Sequence, residues 1–167
     1  MFEHTIAAIE DGSLDAEIGV VFMHREHGEG EVSDAFINLV QSRRIPIVSL
    51  SSKRFRAERG GTFSDHREDY DKRVLDLIRP FSPDLCVLAG YLLILSPQLV
   101  QTYPFINLHP SLPGGPIGLW QRVMWQLIED RAAQTGAMTL LVTEDLDGGP
   151  PLTYARTPLV GPPFDNL

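Results

Sequence analysis

The sequence places an amide, an imidazole and a carboxylate where they could carry out acyl transfer. Asn107 and His109 are two residues apart in the apolar run from Phe105 to His109, so on a strand their side chains share one face. An amide N–H can donate to an oxygen that becomes negative in a tetrahedral intermediate, and an imidazole can pass a proton near neutral pH. Asp147 precedes two glycines and could stabilise the protonated form of His109. Asn107, His109 and Asp147 are therefore the candidate catalytic set.

Each of these residues also has a purely structural interpretation. Asparagine and proline often occur together near strand ends for turn formation alone, which would account for Asn107, His109 and Pro110. An aspartate before two glycines is typical of an ordinary turn, which would account for Asp147. Only the occurrence of all three residues together favours a catalytic site over these structural roles.

Segments typical of strands and helices alternate along the chain and predict the scaffold for this set. They are strand 17–23, helix 32–44, strand 46–50, helix 65–79, strand 85–90, a helix beginning at Ser96, strand 105–109, helix 119–130, and strands 137–143 and 152–157. This order predicts a single domain over residues 1–167 with an α/β fold, in which helices cover both faces of an open, mostly parallel, Rossmann-like sheet. Such sheets bind ligands beyond the carboxyl ends of their strands.

Composition narrows the classes of partner and compartment. The chain has 14 basic and 22 acidic residues, and this net charge of −8 argues against the basic face that nucleic acid needs. Its one cysteine, Cys86, allows no internal disulfide and suits a reducing cytoplasm. No apolar stretch is long enough to span a bilayer, and no dinucleotide or P-loop motif occurs. We expect a cytoplasmic protein that binds a small metabolite, without a membrane or nucleic-acid partner.

Five segments around the candidate set have a distinctive order and spacing. They are Arg67 to Asp71 (REDYD), Val87 to Ser96 (VLAGYLLILS), Ile106 to Leu112 (INLHPSL), Gly118, and Thr143 to Pro150 (TEDLDGGP). Together they resemble the formyltransferase family typified by glycinamide ribonucleotide (phosphoribosylglycinamide) formyltransferase. The resemblance covers roughly residues 17–160, and N-x-H-P-S-L followed later by L-D-G-G-P is a specific combination.

The resemblance implies a reaction and a co-substrate. Asn107 would polarise the carbonyl of a formyl group and His109 would be the general acid, while Asp147 would stabilise the protonated histidine and order a water. The formyl donor would be 10-formyltetrahydrofolate, bound as a co-substrate and without a metal. The residues implied to contact this folate are Arg67, Asn107 and the backbone of Leu92, Leu93, Ile94 and Leu95.

Compared with the family, the sequence departs at its start and within the site. The family begins with a strand and a glycine-rich loop that binds the substrate's phosphate, whereas Met1 here precedes a predicted helix from Phe2 to Asp11. The expectation is therefore a formyltransferase fold that lacks its N-terminal strand and phosphate-binding loop. Leu93 replaces a basic residue of the folate loop, and Leu140 stands where the family often carries a histidine.

The function expected from the resemblance is transfer of a formyl group from 10-formyltetrahydrofolate to an amine of the phosphoribosylglycinamide type, in one-carbon metabolism and purine biosynthesis. Three alternatives share the same residues. A methionyl-tRNA formyltransferase would also need a basic surface, a 10-formyltetrahydrofolate hydrolase would use water as acceptor, and a folate-binding remnant would not be catalytic. The basic cluster Lys53, Arg54, Arg56 and Arg59, in a segment expected to be a loop, could meet an anionic substrate or a folate glutamate tail, or simply be solvated.

Overall fold

The computed structural model describes residues 1–162 of the chain, and its elements follow the predicted alternation. The strands are β1 Val21–Met23, β2 Ile47–Ser49, β3 Cys86–Leu88, β4 Phe105–His109, β5 Gln134–Leu141 and β6 Pro151–Pro158. The helices are α1 Phe2–Glu10, α2 Glu31–Ser42, α3 Ser52–Arg59, α4 Arg67–Ile78, α5 Pro97–Thr102 and α6 Trp120–Glu129. Short 3-10 turns, Phe63–His66 and Arg79–Phe81, flank α4. No helix in this part of the chain is long and apolar enough to cross a bilayer.

Backbone contacts group these elements into two compact units. The first unit comprises Met1–Asp84 and Ala89–Tyr103, and the second comprises Leu85–Leu88 and the described residues from 104 to 162. The expectations of a single domain and of a missing N-terminal strand stay predictions.

The first unit contains the βαβ arrangement that the sequence predicts. Strands β1 and β2 are parallel, with Val21 opposite Ile47, and α2 connects them. Both strands are shorter than predicted, because strand limits follow the backbone pairing rather than the length of the apolar run. Helix α4 supplies much of the core through its buried side chains Tyr70, Val74, Leu75 and Ile78.

The second unit is a four-stranded sheet with the order β3-β4-β5-β6. Strands β3 and β4 are parallel, while β5 pairs antiparallel with both β4 and β6. The alternation of strands and helices in the sequence does not predict whether these last two strands run parallel or antiparallel to their neighbours. The loop between β5 and β6 is short enough to permit the antiparallel arrangement. Asn107 lies opposite Leu140, and His109 lies opposite Met138.

The segment expected to be a loop between β2 and α4 contains a helix, α3, so that expectation is wrong. Ser51 is its N-cap, because its hydroxyl accepts from the backbone N–H of Arg54 at 3.0 Å. The same hydroxyl donates to Oε1 of Glu29 at 2.6 Å. Phe55 is the only side chain of α3 that is buried. One apolar residue gives a weak helical pattern, which explains why the sequence did not predict this helix.

Replacing Ser51 with alanine tests this cap. The substitution removes both the acceptor for Arg54 and the donor to Glu29. We expect the free energy of unfolding to fall by about 1–2 kcal/mol, as is usual for a lost N-cap. Urea denaturation followed by circular dichroism measures the change. Ser52→Ala, at the next position, is the matched control, and an equal loss in both variants would contradict the assignment of Ser51.

Candidate functional site

Strand β4 carries two of the three residues of the candidate catalytic set. Asn107 and His109 lie on the same face of β4, because side chains along a strand alternate between its faces. His109 is 2% exposed, whereas Asn107 is half-buried. Among residues 1–162 the carboxamide of Asn107 has no hydrogen-bond partner, so both its N–H and its C=O are available to a ligand.

The imidazole of His109 lies between two acceptors. Its Nε2 is 2.9 Å from the carbonyl oxygen of Pro116, and its Nδ1 is 3.8 Å from Oδ1 of Asp147. Because a carbonyl can only accept, Nε2 must carry a proton that it donates to Pro116. On the other side of the ring, Nδ1 faces the carboxylate of Asp147. These two neighbours orient the imidazole, and an oriented imidazole is a side chain that can serve as a general acid.

The loop between β5 and β6 aims the carboxylate of Asp147 at this ring. Oδ2 of Asp147 accepts from the backbone N–H of Gly118 at 3.1 Å, which leaves Oδ1 for His109. The backbone of Asp147 is left-handed, with φ 53°. Gly149 leaves no space for a side chain, because a Cβ there would collide with the carbonyl oxygen of Leu141. This loop is thus an ordinary turn in shape, but it orients a nearly buried carboxylate.

The segment from Pro110 to Gly118 holds both ionisable groups, a role that sequence analysis missed. Pro116 engages the imidazole through its carbonyl, and Gly118 engages the carboxylate through its N–H. The lack of a side chain at Gly115 allows the backbone of this segment to pass close to Ser111, since a Cβ there would collide with the hydroxyl of Ser111. The run of glycine and proline was the available signal, but a sequence does not show which backbone group meets which side chain.

The residues implied to contact folate lie in the first unit, apart from Asn107. Leu92 and Ile94 are exposed, by 68% and 43% respectively, and Leu95 is buried. Arg67 opens α4, and its Nε is buried without a hydrogen-bond partner among residues 1–162. An exposed apolar loop and an unpaired guanidinium nitrogen are features that a ligand could cover. The folate contacts of Arg67, Leu92, Leu93, Ile94 and Leu95 stay predictions.

A buried carboxylate, which sequence analysis also missed, anchors the end of this loop. The backbone N–H of Ser96 donates to Oδ2 of Asp71 at 2.5 Å, and Asp71 and Ser96 are both almost fully buried. Ser96 in turn caps α5, as predicted, by accepting from the N–H of Leu99. Burial raises the pKa of the Asp71 carboxyl, while the bonds from Ser96 and the charge of Arg67 lower it. Asp71 therefore ties α4 to the end of the loop that carries Leu92 to Leu95.

Histidine, cysteine and carboxylate side chains form no group that could hold a metal within residues 1–162. His24 is half-buried against the ring of Tyr91, with centroids 5.4 Å apart in an edge-to-face arrangement. Burial lowers the pKa of His24 and raises that of Tyr91. Burial also raises the pKa of the Cys86 thiol to about 11, which makes Cys86 a poor nucleophile.

Replacing Gly149 with alanine tests whether the Asp147 loop is held as described. The new Cβ cannot fit against the carbonyl oxygen of Leu141, so the loop must move away from β5. We expect the free energy of unfolding to fall by about 1–3 kcal/mol, as for overpacked sites. Urea denaturation measures this loss. Gly19→Ala is the control because a Cβ at Gly19 meets nothing within 4 Å, and equal stability of both variants would contradict the geometry.

Asp71→Asn tests the buried anchor through its pH dependence. A carboxyl whose pKa is raised on folding binds its proton more tightly in the folded state, so stability falls as pH rises from about 3.9 through the raised pKa. Asparagine does not titrate and lacks this loss. The stability of wild type relative to Asp71→Asn should therefore be greatest near pH 4 and smaller at pH 7, as measured by urea denaturation. Asp69→Asn, exposed on α4, is the control, and a pH-independent difference for Asp71 would refute the expectation.

The chain is similar in sequence to a protein family and to several known proteins. The family model described as formyl transferase matches residues 1–161. Phosphoribosylglycinamide formyltransferase of Saccharomyces cerevisiae is 31% identical over 166 residues, which is 93% of this chain and 76% of that protein. The Escherichia coli K12 protein of the same name is 38% identical over 97 residues, 57% of this chain and 45% of the relative. Formyltetrahydrofolate deformylase of Bacillus subtilis is 30% identical over 143 residues, 84% of this chain and 41% of the relative.

Solved structures agree in fold. Phosphoribosylglycinamide formyltransferase from Bacillus halodurans superposes with a TM-score of 0.76 at 23% identity, over 96% of this chain and 75% of that one. The Coxiella burnetii protein gives 0.72 at 28% identity, over 95% and 66% of the two chains. This likeness confirms the predicted α/β fold. The chain spans less than half the length of the Escherichia coli and Bacillus subtilis relatives. The match of the family model over nearly all of the described residues shows that the chain belongs to the formyl transferase family.

Proposed function

We propose that this chain transfers a formyl group from 10-formyltetrahydrofolate to a primary amine, with a phosphoribosylglycinamide-type compound as acceptor. The relatives from Escherichia coli and yeast are named for that acceptor, and the family is that of formyl transferases. The single observation that carries the proposal is the pairing of His109 Nδ1 with Asp147 Oδ1 at 3.8 Å, beside Asn107 on the same strand face.

These residues can divide the reaction between them. The amine nitrogen attacks the formyl carbon, and the carboxamide of Asn107 donates to the oxygen that becomes negative. Collapse of the tetrahedral intermediate breaks the bond to the folate nitrogen, which leaves with a proton from His109. The proton that the amine loses as the new C–N bond forms passes to the imidazole of His109, so the general acid is regenerated and the proton count balances. Asp147 stabilises the imidazolium until it delivers its proton.

The proposed mechanism also requires a movement before reaction. His109 is 2% exposed, and the proton on its Nε2 is donated to the carbonyl of Pro116. A substrate atom must replace that carbonyl to receive the proton. The segment that ends at Gly118 therefore opens on binding, and Gly118 itself releases or carries along the carboxylate of Asp147. Catalytic hydrogen bonds commonly form only in the substrate complex.

Hydrolysis of 10-formyltetrahydrofolate is the second candidate function. The deformylase relative from Bacillus subtilis aligns with 84% of this chain, which favours it. The same three residues would serve, with water in place of the amine. We propose that no metal takes part in either reaction. Asn107 would then be the only neutral side chain of the catalytic set that donates a hydrogen bond to the developing oxyanion.

We place either reaction in the cytoplasm, because a chain with one cysteine can form no internal disulfide. We propose no nucleic-acid partner, because the net charge of the chain is −8.

Release of tetrahydrofolate with and without an amine distinguishes the two reactions. The purified chain is mixed with 10-formyltetrahydrofolate alone and then with added phosphoribosylglycinamide, and the loss of formyl donor is followed by absorbance. Transfer predicts turnover only with the amine, and hydrolysis predicts turnover without it. Binding of the folate without any turnover would contradict both.

Asn107→Ala and His109→Ala test the assigned roles. Loss of an oxyanion donor typically lowers kcat about 10²- to 10³-fold, and loss of a general acid about 10²- to 10⁴-fold. We expect reductions of that size in steady-state kcat, with the folded state retained by circular dichroism. Leu108→Ala is the matched control, because Leu108 is 46% exposed on the opposite face of β4. Rates near wild type in either site variant would contradict the mechanism.

A further inference from the structure

A positively charged cavity lies between α3 and α4 in the first unit. Its volume is about 160 Å³, and the side chains that matter for its chemistry are Arg54, Phe55, Glu58, Arg59 and Arg73. Three arginines and one glutamate therefore line one small space. The chain as a whole carries a net charge of −8, so a local excess of positive charge runs against its general composition.

The charges in this cavity are not all neutralised. Arg54 forms an ion pair with Glu26 and lies 3.8 Å from Glu58. Within residues 1–162, no carboxylate lies at ion-pair distance from Arg59 or Arg73. Two guanidinium groups are thus left with their donors free to bind an anion.

One of these two groups is held in place by aromatic packing. The guanidinium carbon of Arg59 lies 3.6 Å from the ring centroid of Phe55, a close cation–π contact. The Phe55 ring is 5% exposed and packs edge-on against Tyr70 with centroids 5.1 Å apart. Tyr70 is fixed in turn by donating to the carbonyl of Leu50 at 2.6 Å. A preorganised arginine loses less freedom on binding than a solvated one.

We propose that Arg59 and Arg73 form a binding site for a small anion that carries at least two carboxylate or phosphate groups. The planar fork of a guanidinium matches both groups through paired N–H donors. Two sources present this chemistry. One is the γ-linked glutamate tail of the folate donor, and that source rests on the proposed function. The other is a free phosphate compound, represented by inorganic pyrophosphate, which is independent of it.

Isothermal titration calorimetry at low ionic strength tests the site without any turnover. The full chain is titrated with tri-γ-glutamate and, separately, with inorganic pyrophosphate. We expect at least one of them to bind with a Kd below about 1 mM. Binding of tri-γ-glutamate alone identifies the folate tail as the source, and binding of pyrophosphate alone identifies a free phosphate compound. If neither binds, the site does not exist, whether or not the chain transfers formyl groups.

Single substitutions of basic residues inside and outside the cavity show whether the anion binds there. Arg59→Gln and Arg73→Gln should each weaken binding at least about tenfold, since each removes one set of charged donors. Arg59→Lys keeps the charge but loses the planar fork, and it should also weaken binding. Lys53→Gln removes the same charge from α3 at a position outside the cavity and should change Kd less than about twofold. Equal weakening by Lys53→Gln and Arg73→Gln would overturn the proposal, because it would indicate general electrostatic attraction.

Discussion

The candidate site depends on an imidazole held between a backbone carbonyl and a carboxylate. Pro116 presents a carbonyl to one nitrogen of His109, and Asp147 presents a carboxylate to the other. The two nitrogens of the ring therefore face different groups, which fixes the orientation of the imidazole. Other features of the second unit help to hold these two groups in place. The register of β4 with β5, the turn before Gly149 and the path through Gly115 all serve this end.

Both acceptors are controlled by one short segment of backbone. Pro116 contacts the imidazole, and Gly118, two residues later, donates to the carboxylate. A displacement of this segment therefore changes the surroundings of both members of the pair together. This coupling is local and needs no change in the sheet, because β4 and β5 are joined by their own backbone hydrogen bonds. Protein loops are suited to such a role, since they move more easily than the strands they connect.

The sequence predicts the elements of this protein better than its contacts. Both ends of strand β4 are predicted correctly, because its apolar run is followed directly by a proline that ends the strand. The Ser96 cap is predicted because a serine followed by a proline is typical of the start of a helix. Helix α3 is missed because Phe55 alone marks its buried face. His109 and Asp147 are expected together only from the family resemblance and the rule for strand ends. The hydrogen bond between Asp71 and Ser96 could not be predicted, because the sequence of a helix with many charges does not show which of its carboxylates is buried.

The left-handed backbone of Asp147 has a further consequence for how this family member balances folding against activity. A residue with a Cβ in that conformation carries a steric penalty of about 1 kcal/mol that glycine would not. Glycine, as at the following two positions, would make the turn easier to form but would remove the carboxylate that faces His109. Glycine would therefore favour the turn but could not take the role proposed for Asp147. On that proposal, selection for heat resistance alone would favour glycine at this position, whereas selection for turnover would keep the strained aspartate.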